Sequence, residues 1–183
     1  MKIEKAFKEI LNDLDKEKKY INNEVFENTP KRIEKFYKEI FSGINIDPYI
    51  FFKNTIKTTN NDFVIEKNID FYSMCEHHFL PFFGKISLCY IPNEKIIGFG
   101  EIIKMIEAYA NRPQLQERLT EDIAETLYQG LDAKGVYVII EAIHTCMTMR
   151  GTKKTNSKII TTGTRGIFKE NSIMKLEVLN LLK

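Results

Sequence analysis

Apolar residues at helical spacing mark both ends of the chain. In the first quarter they recur three or four positions apart in two stretches, which predicts two helices: Ile3, Phe7, Ile10, Leu11 and Leu14, then Ile33, Phe36, Tyr37, Ile40 and Phe41. The pair Thr29-Pro30 predicts where the second of these helices begins. A closing helix is predicted by the same spacing near the end: Ile173, Leu176, Leu179 and Leu182.

The middle of the chain combines strand patterns with two further helical patterns. Alternating residues predict strands at 61–73 and 84–91, joined by a loop at 79–83, and apolar runs predict strands at 135–146 and 158–168. Between the two pairs lie two helical stripes, which are separated at Arg112-Pro113, where proline suits the first position of a helix: Ile102, Ile103, Ile106 and Tyr109, then Leu115, Leu119, Ile123, Leu127 and Leu131. The predicted order is ββααββ, with helices added at both ends.

Composition indicates one α+β domain with a buried core. The chain has 183 residues, 43% hydrophobic and 28% charged, and it shows neither an internal repeat nor a linker rich in Gly, Pro or Ser. We predict an N-terminal helical segment over residues 1–60 and a strand-containing catalytic domain over residues 61–183, which together form a single compact unit.

Charge and cysteine content narrow the class of partner. The 27 basic and 25 acidic residues nearly balance, and the lysines are scattered, so we expect a small-molecule ligand rather than nucleic acid or a membrane. Three cysteines are too few for a disulfide framework, and the charged start does not suit a secretory signal. We therefore expect a reduced, cytoplasmic protein in which the isolated Cys89 is a core residue.

The residues that bind metals are concentrated in two short clusters. All three histidines and two of the three cysteines lie in Cys75-Glu76-His77-His78 and His144-Thr145-Cys146. C-x-x-H spacing lets a turn bring both side chains to one ion, and residues two apart on a strand share a face. Either cluster alone is more often simple packing, but together they predict three ligands of one metal ion: Cys75, His78 and Cys146.

This ligand set favours zinc and an open coordination position. Two thiolates and one imidazole suit zinc better than magnesium or calcium, although ligand type alone does not distinguish zinc from iron(II). A closed structural site would need a fourth ligand, and Glu76 is a poor candidate, so we expect a catalytic site. His77 and His144 are then available for proton transfer, and Glu76 is a candidate for orienting a ligand.

Three sequence blocks together carry a resemblance to a known family. Cys75–His78, Arg112–Thr120 and the segment from His144 to Gly151 resemble the corresponding blocks of the GTP cyclohydrolase I family, in the same order. The resemblance extends from about Asn28 to Phe168. It implies the T-fold, an antiparallel four-stranded sheet with two helices between its second and third strands, and a ring-shaped homo-oligomer, usually a decamer.

The resemblance also implies a reaction and the residues that perform it. GTP would be hydrolysed at C8 of guanine to 7,8-dihydroneopterin triphosphate and formate, with Zn2+ on the three ligands predicted above. His144 would protonate N7 and help to open the ring, and His77 would assist proton transfer or contact the ribose. Glu117 would accept hydrogen bonds from N1–H and the 2-amino group, with Gln116 beside it. Without the family, a solvated helix face would be the simpler interpretation of Gln116 and Glu117.

The implied phosphate contacts are basic, with one departure from the family pattern. They fall on Arg32, Lys35, Lys104 and Arg150, although the exposed side of a helix is the alternative for the first two. Where the family usually has a serine followed by a lysine, this chain has Gly100 and Glu101. Like charges about 4 Å apart repel by about 4 kcal/mol at an effective dielectric near 20, so a carboxylate facing phosphate is costly.

Three functions are therefore open from the sequence. The favoured one is a GTP cyclohydrolase I that binds GTP through its remaining basic residues. The same ring opening on a guanine nucleotide or nucleoside with fewer phosphates is the alternative among enzymes. A catalytically inactive, zinc-stabilised nucleotide-binding protein is the alternative of another class.

Overall fold

The structure is a computed structural model that describes residues 2–17 and 19–182. It divides into two compact units, Met1–Ser42 and Gly43–Lys183. The predicted boundary at residue 60 stays a prediction. Within the described residues, we find no helix with the length and apolar character needed to cross a membrane.

The first unit is a pair of helices, α1 (Lys2–Leu14) and α2 (Asn23–Ile40). The connection between them is organised by Asp15, whose carboxylate accepts hydrogen bonds from the backbone N–H groups of Tyr20 at 2.7 Å and Ile21 at 2.6 Å. The helices pack through the rings of Phe7 and Tyr37, whose centroids are 5.9 Å apart. Both helices were predicted from the spacing of apolar residues.

The predicted start of the second helix is wrong. Helix α2 begins after Asn22, whose side chain accepts a hydrogen bond from the backbone N–H of Val25 at 2.9 Å, and Pro30 lies inside the helix. Asparagine is among the best N-cap residues, so its side chain fixes the first turn before Thr29-Pro30 is reached. Proline at position 30 costs the helix one N–H donor without ending it.

The second unit contains the sheet, three short helices or turns of helix and three longer helices. A 3-10 helix covers Pro48–Lys53. The remaining elements follow in chain order: β1 (Ile56–Lys57), β2 (Val64–Cys75), β3 (Pro81–Ile91), β4 (Lys95–Ile96), α3 (Phe99–Ala110), β5 (Pro113–Gln114), α4 (Gln116–Leu131), β6 (Gly135–His144), α5 (Thr145–Thr148), β7 (Ile159–Gly166), α6 (Ile167–Glu170) and α7 (Ser172–Leu182).

The main sheet has the strand order β5-β2-β3-β6-β7. Its four long strands, β2, β3, β6 and β7, pair with one another in antiparallel fashion, and α3 and α4 lie in sequence between β3 and β6. This is the predicted T-fold, in the predicted order. The structure adds the two-residue β5, parallel to the end of β2, and a separate pair formed by β1 and β4.

Two hydrophobic clusters form the core of this unit. The larger one joins buried side chains of α3 and α4 to alternate residues of the strands, among them Ile106, Leu119, Ile123, Leu88 and Val138. The smaller one contains strand residues of opposite parity, Cys89 and Tyr137, with Phe168, Val178 and Leu182 from the C-terminal helices. Because strand side chains alternate in direction, the sheet is covered on both faces in these regions. Cys89 is fully buried, as predicted.

Several element boundaries differ from the predictions near the sheet ends. Strand β3 begins at Pro81, so most of the predicted 79–83 loop is strand. Pro113 pairs with β2 instead of starting a helix. Strand β7 ends at Gly166, which has φ +57° and whose added Cβ would lie 2.2 Å from the Lys134 carbonyl oxygen, so the chain turns there into α6.

Candidate metal centre and active site

The three predicted metal ligands lie together at one end of the main sheet. Cys75 is the last residue of β2, His78 lies in the turn that follows, and Cys146 lies in α5. Their ligand atoms are all within 4.8 Å of one another, and the Cys75 Sγ to His78 Nδ1 distance is 3.8 Å. This is the only such group of three found among the described residues.

Backbone hydrogen bonds hold the turn that carries His78. The N–H of Cys75 donates to the carbonyl of Leu80 at 2.9 Å, and the N–H of Phe79 donates to the carbonyl of Cys75 at 2.9 Å. The N–H of Glu76 donates to the carbonyl of Gln114 in β5 at 3.0 Å. The short parallel strand therefore ties the turn to the segment that leads into α4.

Cys146 reaches the cluster by a route that strand alternation did not predict. Strand β6 ends at His144, and the chain enters α5 at Thr145, whose hydroxyl donates to the Pro81 carbonyl at 2.6 Å. The expected strand geometry for His144 and Cys146 is therefore wrong. A helical turn, anchored to the start of β3, brings the thiol back toward the end of β2.

The protonation of Cys146 depends on its burial and on its neighbour Cys75. Burial, followed by the neighbouring Cys75 thiol, raises the pKa of Cys146, and Arg150 opposes this effect. A divalent cation would reverse this balance, because thiolates are the form that binds metal. Two sulfur atoms and one imidazole nitrogen fit zinc and leave one tetrahedral position for another ligand.

His144 is held more firmly than the other two histidines. Its Nε2 lies 2.8 Å from Oε1 of Gln116, and its ring stacks on Phe82 with centroids 4.6 Å apart and planes 7° apart. Burial lowers the pKa of His144, and the Glu117 carboxylate opposes the shift. His144, Gln116 and Glu117 are thus brought together where β6 ends and α4 begins.

The remaining residues of the first cluster are more exposed. His77 is exposed, and its ring centroid lies 6.2 Å from that of His78. Glu76 forms an ion pair with Arg118 of α4. Sequence reasoning suggested an orienting role for Glu76 but missed Arg118 and Phe82. The position of Arg118, directly after Glu117 in the family block, is the signal that could have found it.

Two of the predicted phosphate contacts belong to each compact unit of the chain. Lys104 forms an ion pair with Glu101 at 2.7 Å on the exposed side of α3. Arg150 is exposed and acts on the pKa of Cys146. Arg32 and Lys35 are exposed on α2 of the first unit, where Arg32 pairs with Glu24 at 3.0 Å.

Comparison with known proteins matches the whole described chain. A sequence model described as GTP cyclohydrolase I matches residues 3–183. The protein named GTP cyclohydrolase 1 of Fusobacterium nucleatum subsp. nucleatum is 55% identical over 183 residues, covering 100% of this chain and 96% of that protein. Its namesake in Lysinibacillus sphaericus (strain C3-41) is 44% identical over 184 residues, covering 100% and 96%.

One solved structure is also similar in part. The archaeosine synthase QueF-Like in its apo form covers 60% of this chain and 97% of its own, with 19% sequence identity and a TM-score of 0.48.

Fold and cluster together define the class: a T-fold protein with a Cys–His–Cys group that could bind a metal ion at one end of its sheet. The family match and the relatives then specify which one. The chain belongs to the GTP cyclohydrolase I family, an enzyme family, as the sequence blocks predicted.

Proposed function

We propose that the protein is a zinc-dependent GTP cyclohydrolase I, which converts GTP and water into 7,8-dihydroneopterin triphosphate and formate. The observation that carries this proposal is the convergence of Cys75, His78 and Cys146 beside His144 in a chain of this family. The relatives named GTP cyclohydrolase 1 span the full length of the chain, which supports the same activity here.

The metal-binding part of the site comprises Cys75, His78 and Cys146. Their sulfur and nitrogen donors lie close enough to converge on one ion, and softer donors of this kind favour zinc over oxygen-seeking cations. When bound, zinc supplies Lewis-acid activation of water at its open coordination position. The predicted iron(II) alternative is tested by metal analysis of freshly purified protein.

Proton transfer is assigned to the two histidines outside the metal-binding set. His144 would give a proton to N7 of guanine as the bond at C8 is hydrolysed, because a protonated ring nitrogen is the better leaving group. Its contacts with Gln116 and Phe82 hold the imidazole in place before substrate arrives. His77 is exposed and free to approach the substrate, where it would assist proton transfer or contact the ribose.

Recognition of guanine is assigned to Glu117 in the first turn of α4. Its carboxylate is exposed and close enough to His144 to affect the pKa of that ring. A carboxylate has only acceptors, and the N1–H and 2-amino edge of guanine offers two parallel donors. Gln116, predicted beside it, is buried. Its side chain receives a different role below.

Phosphate binding and assembly complete the proposal. Arg32, Lys35, Lys104 and Arg150 are all exposed cations that suit a triphosphate. We also propose a ring-shaped homo-oligomer, a decamer, located in the cytoplasm. The assembly is supported by the outer side of β7, which has no neighbouring strand in the sheet order of the described residues and is available for pairing with another copy.

One observation favours the second candidate, a guanine nucleotide or nucleoside with fewer phosphates. Lys104 is paired with Glu101 at 2.7 Å, so the two side chains contribute no net charge to a phosphate site. Exposed ion pairs of this kind are weak, at about 0–1 kcal/mol, so an arriving phosphate can take over Lys104. We therefore keep GTP as the first candidate.

The experiment compares GTP, GDP, GMP and guanosine as substrates for the zinc-loaded wild-type protein and the Glu101→Lys variant, measuring formate release and pterin absorbance. We expect turnover of GTP in preference to guanosine, and a lower KM for GTP in the variant because a repulsive charge is replaced by an attractive one. Asp70→Lys, a similar change in an ion pair on β2, is the control.

Preference for guanosine or GMP would establish the second candidate. No product from any substrate would contradict both and favour an inactive nucleotide-binding protein.

A further inference from the structure

The side-chain amide of Gln116 is buried between α4, β6 and β7. Only 1% of the residue is exposed. Its Nε2 lies 3.0 Å from the Ile140 carbonyl oxygen, 3.1 Å from the Ile159 carbonyl oxygen and 3.1 Å from Oγ1 of Thr161. Its Oε1 lies 2.8 Å from Nε2 of His144. Every polar atom of this side chain therefore has a partner within the protein.

These partners fix which way the amide points. Two of the three groups around Nε2 are backbone carbonyl oxygens, which only accept hydrogen bonds. With the amide reversed, Oε1 would face those oxygens, and both carbonyls, one buried and one partly buried, would lose a donor, which is unfavourable. The oxygen of the amide must therefore face His144.

The orientation of the amide determines the tautomer of His144. An amide oxygen has no hydrogen to give, so the 2.8 Å contact requires a hydrogen on Nε2 of His144. A neutral imidazole carries one hydrogen on its two ring nitrogens, so Nδ1 is left without a hydrogen and can only accept. If the ring takes a second proton, that proton goes to Nδ1, and the Nε2–H bond to Gln116 is present in both states.

The surrounding contacts keep both partners from rotating. Phe82 stacks on the His144 ring with planes only 7° apart, which opposes rotation of the imidazole. The Thr120 hydroxyl lies 2.6 Å from that of Thr161 and 2.7 Å from the Gln116 carbonyl oxygen, which ties the first turn of α4 to β7. Within the described residues, no hydrogen bond to Nδ1 of His144 is found.

We infer that Gln116 is a positioning residue, which fixes His144 as the Nε2–H tautomer and makes Nδ1 the single atom through which His144 exchanges protons with substrate. The part of this inference that concerns proton exchange with substrate rests on the proposed function. The part that concerns the tautomer of His144 does not. It gives Gln116 a role distinct from its predicted place in guanine binding, because its amide hydrogens are directed at protein acceptors.

The first test measures the tautomer directly. Solid-state 15N NMR on protein labelled only at histidine would report three rings, and the signals lost in a His144→Gln variant identify His144. At a pH where the ring is neutral, we expect a protonated Nε2 and an unprotonated Nδ1, in both metal-depleted and zinc-loaded protein. A protonated Nδ1, or a mixture of tautomers, would overturn the inference, whatever the protein's activity.

The second test compares Gln116→Met with Gln129→Met, which makes the same chemical change at an exposed position of the same helix. We expect Gln116→Met to lose the fixed tautomer and about 10²-fold in kcat, with KM changed only a few-fold, because proton transfer and not binding is affected. Gln129→Met should keep the wild-type spectrum and kcat.

Two outcomes of this comparison contradict the inference. A large rise in KM for GTP with kcat unchanged would make Gln116 a guanine contact. An unchanged tautomer in Gln116→Met would assign the orientation to other groups. If Gln116→Met does not fold, the spectrum of the wild-type protein decides alone. Absence of turnover on every guanine substrate contradicts the proposed function but leaves the tautomer measurement valid.

Discussion

The two histidine-bearing segments at the sheet end are held in different ways. His77 and His78 are exposed residues on a turn whose backbone is held by hydrogen bonds. His144 is half-buried, hydrogen-bonded to Gln116 and stacked on Phe82. The first segment therefore supplies groups that a bound metal ion would organise. The second supplies an imidazole whose orientation the protein already fixes.

This difference follows from the two kinds of chemistry proposed for the site. A metal ion imposes geometry on its own ligands, so the turn needs only to bring Cys75 and His78 within reach of it. A residue that moves protons has no such organising partner, and errors of about an ångström in its position are costly. The protein accordingly places its buried polar contacts around His144.

Removal of a metal ligand should have the largest effect. We expect Cys146→Ala to lose bound zinc and all measurable cyclohydrolase activity, because two remaining ligands hold zinc poorly. Elemental analysis and formate release measure both properties. Cys89→Ala is the matched control, since that thiol is fully buried away from the cluster. Zinc retained at wild-type level in Cys146→Ala would remove Cys146 from the ligand set.

Removal of the oriented imidazole should have the next largest effect. We expect His144→Ala to reduce kcat by about 10²–10⁴-fold while zinc content is unchanged, because general acid–base catalysis contributes that much. His77→Ala, on the exposed turn, should reduce kcat less. Steady-state kinetics with metal analysis on both variants checks the order. Equal losses of kcat in the two variants would mean that the firmer placement of His144 does not contribute to catalysis.

The smallest expected effect concerns the ion pair that ties the exposed turn to α4. Arg118→Met removes the partner of Glu76, which lies between two residues of the first cluster. We expect zinc affinity to fall by at most about 5-fold, because an exposed ion pair contributes only about 0–1 kcal/mol. Competition with a zinc chelator measures this. Lys158→Met, which breaks an exposed ion pair with Glu141 at 2.8 Å, is the control and should leave zinc affinity unchanged.

The order of elements was predictable because it depends on periodicity along the chain. The spacing of apolar residues located α3, α4 and the long strands, and local chain chemistry located the C-x-x-H turn. The residues that meet at the sheet end depend instead on pairing between distant segments. Pro113 pairs with Met74, and Phe82 with His144, through registers that no local pattern encodes.

Errors in the predicted site geometry have the same origin. Strand alternation placed His144 and Cys146 on one face, but β6 ends at His144, and the hydroxyl of Thr145 donates to the Pro81 carbonyl of a distant segment. The burial of Gln116 was equally hidden, since its partners lie on β6 and β7, 24 and 43 residues away. The family resemblance implied a substrate contact for Gln116 beside Glu117, and that assignment stays a prediction, whereas the contact with His144 favours a positioning role.

The burial of Cys89 has a practical consequence for thiol chemistry. Burial, with a smaller contribution from Asp62, raises the pKa of that thiol to about 12, so almost none of it is thiolate near neutral pH. Thiolate is the form that an alkylating reagent attacks. Cys75 is also buried, and Cys146 is the cysteine that is only partly buried. In the native protein, alkylation therefore reports first on Cys146, and the kinetics of labelling indicate how much of the population holds its ion.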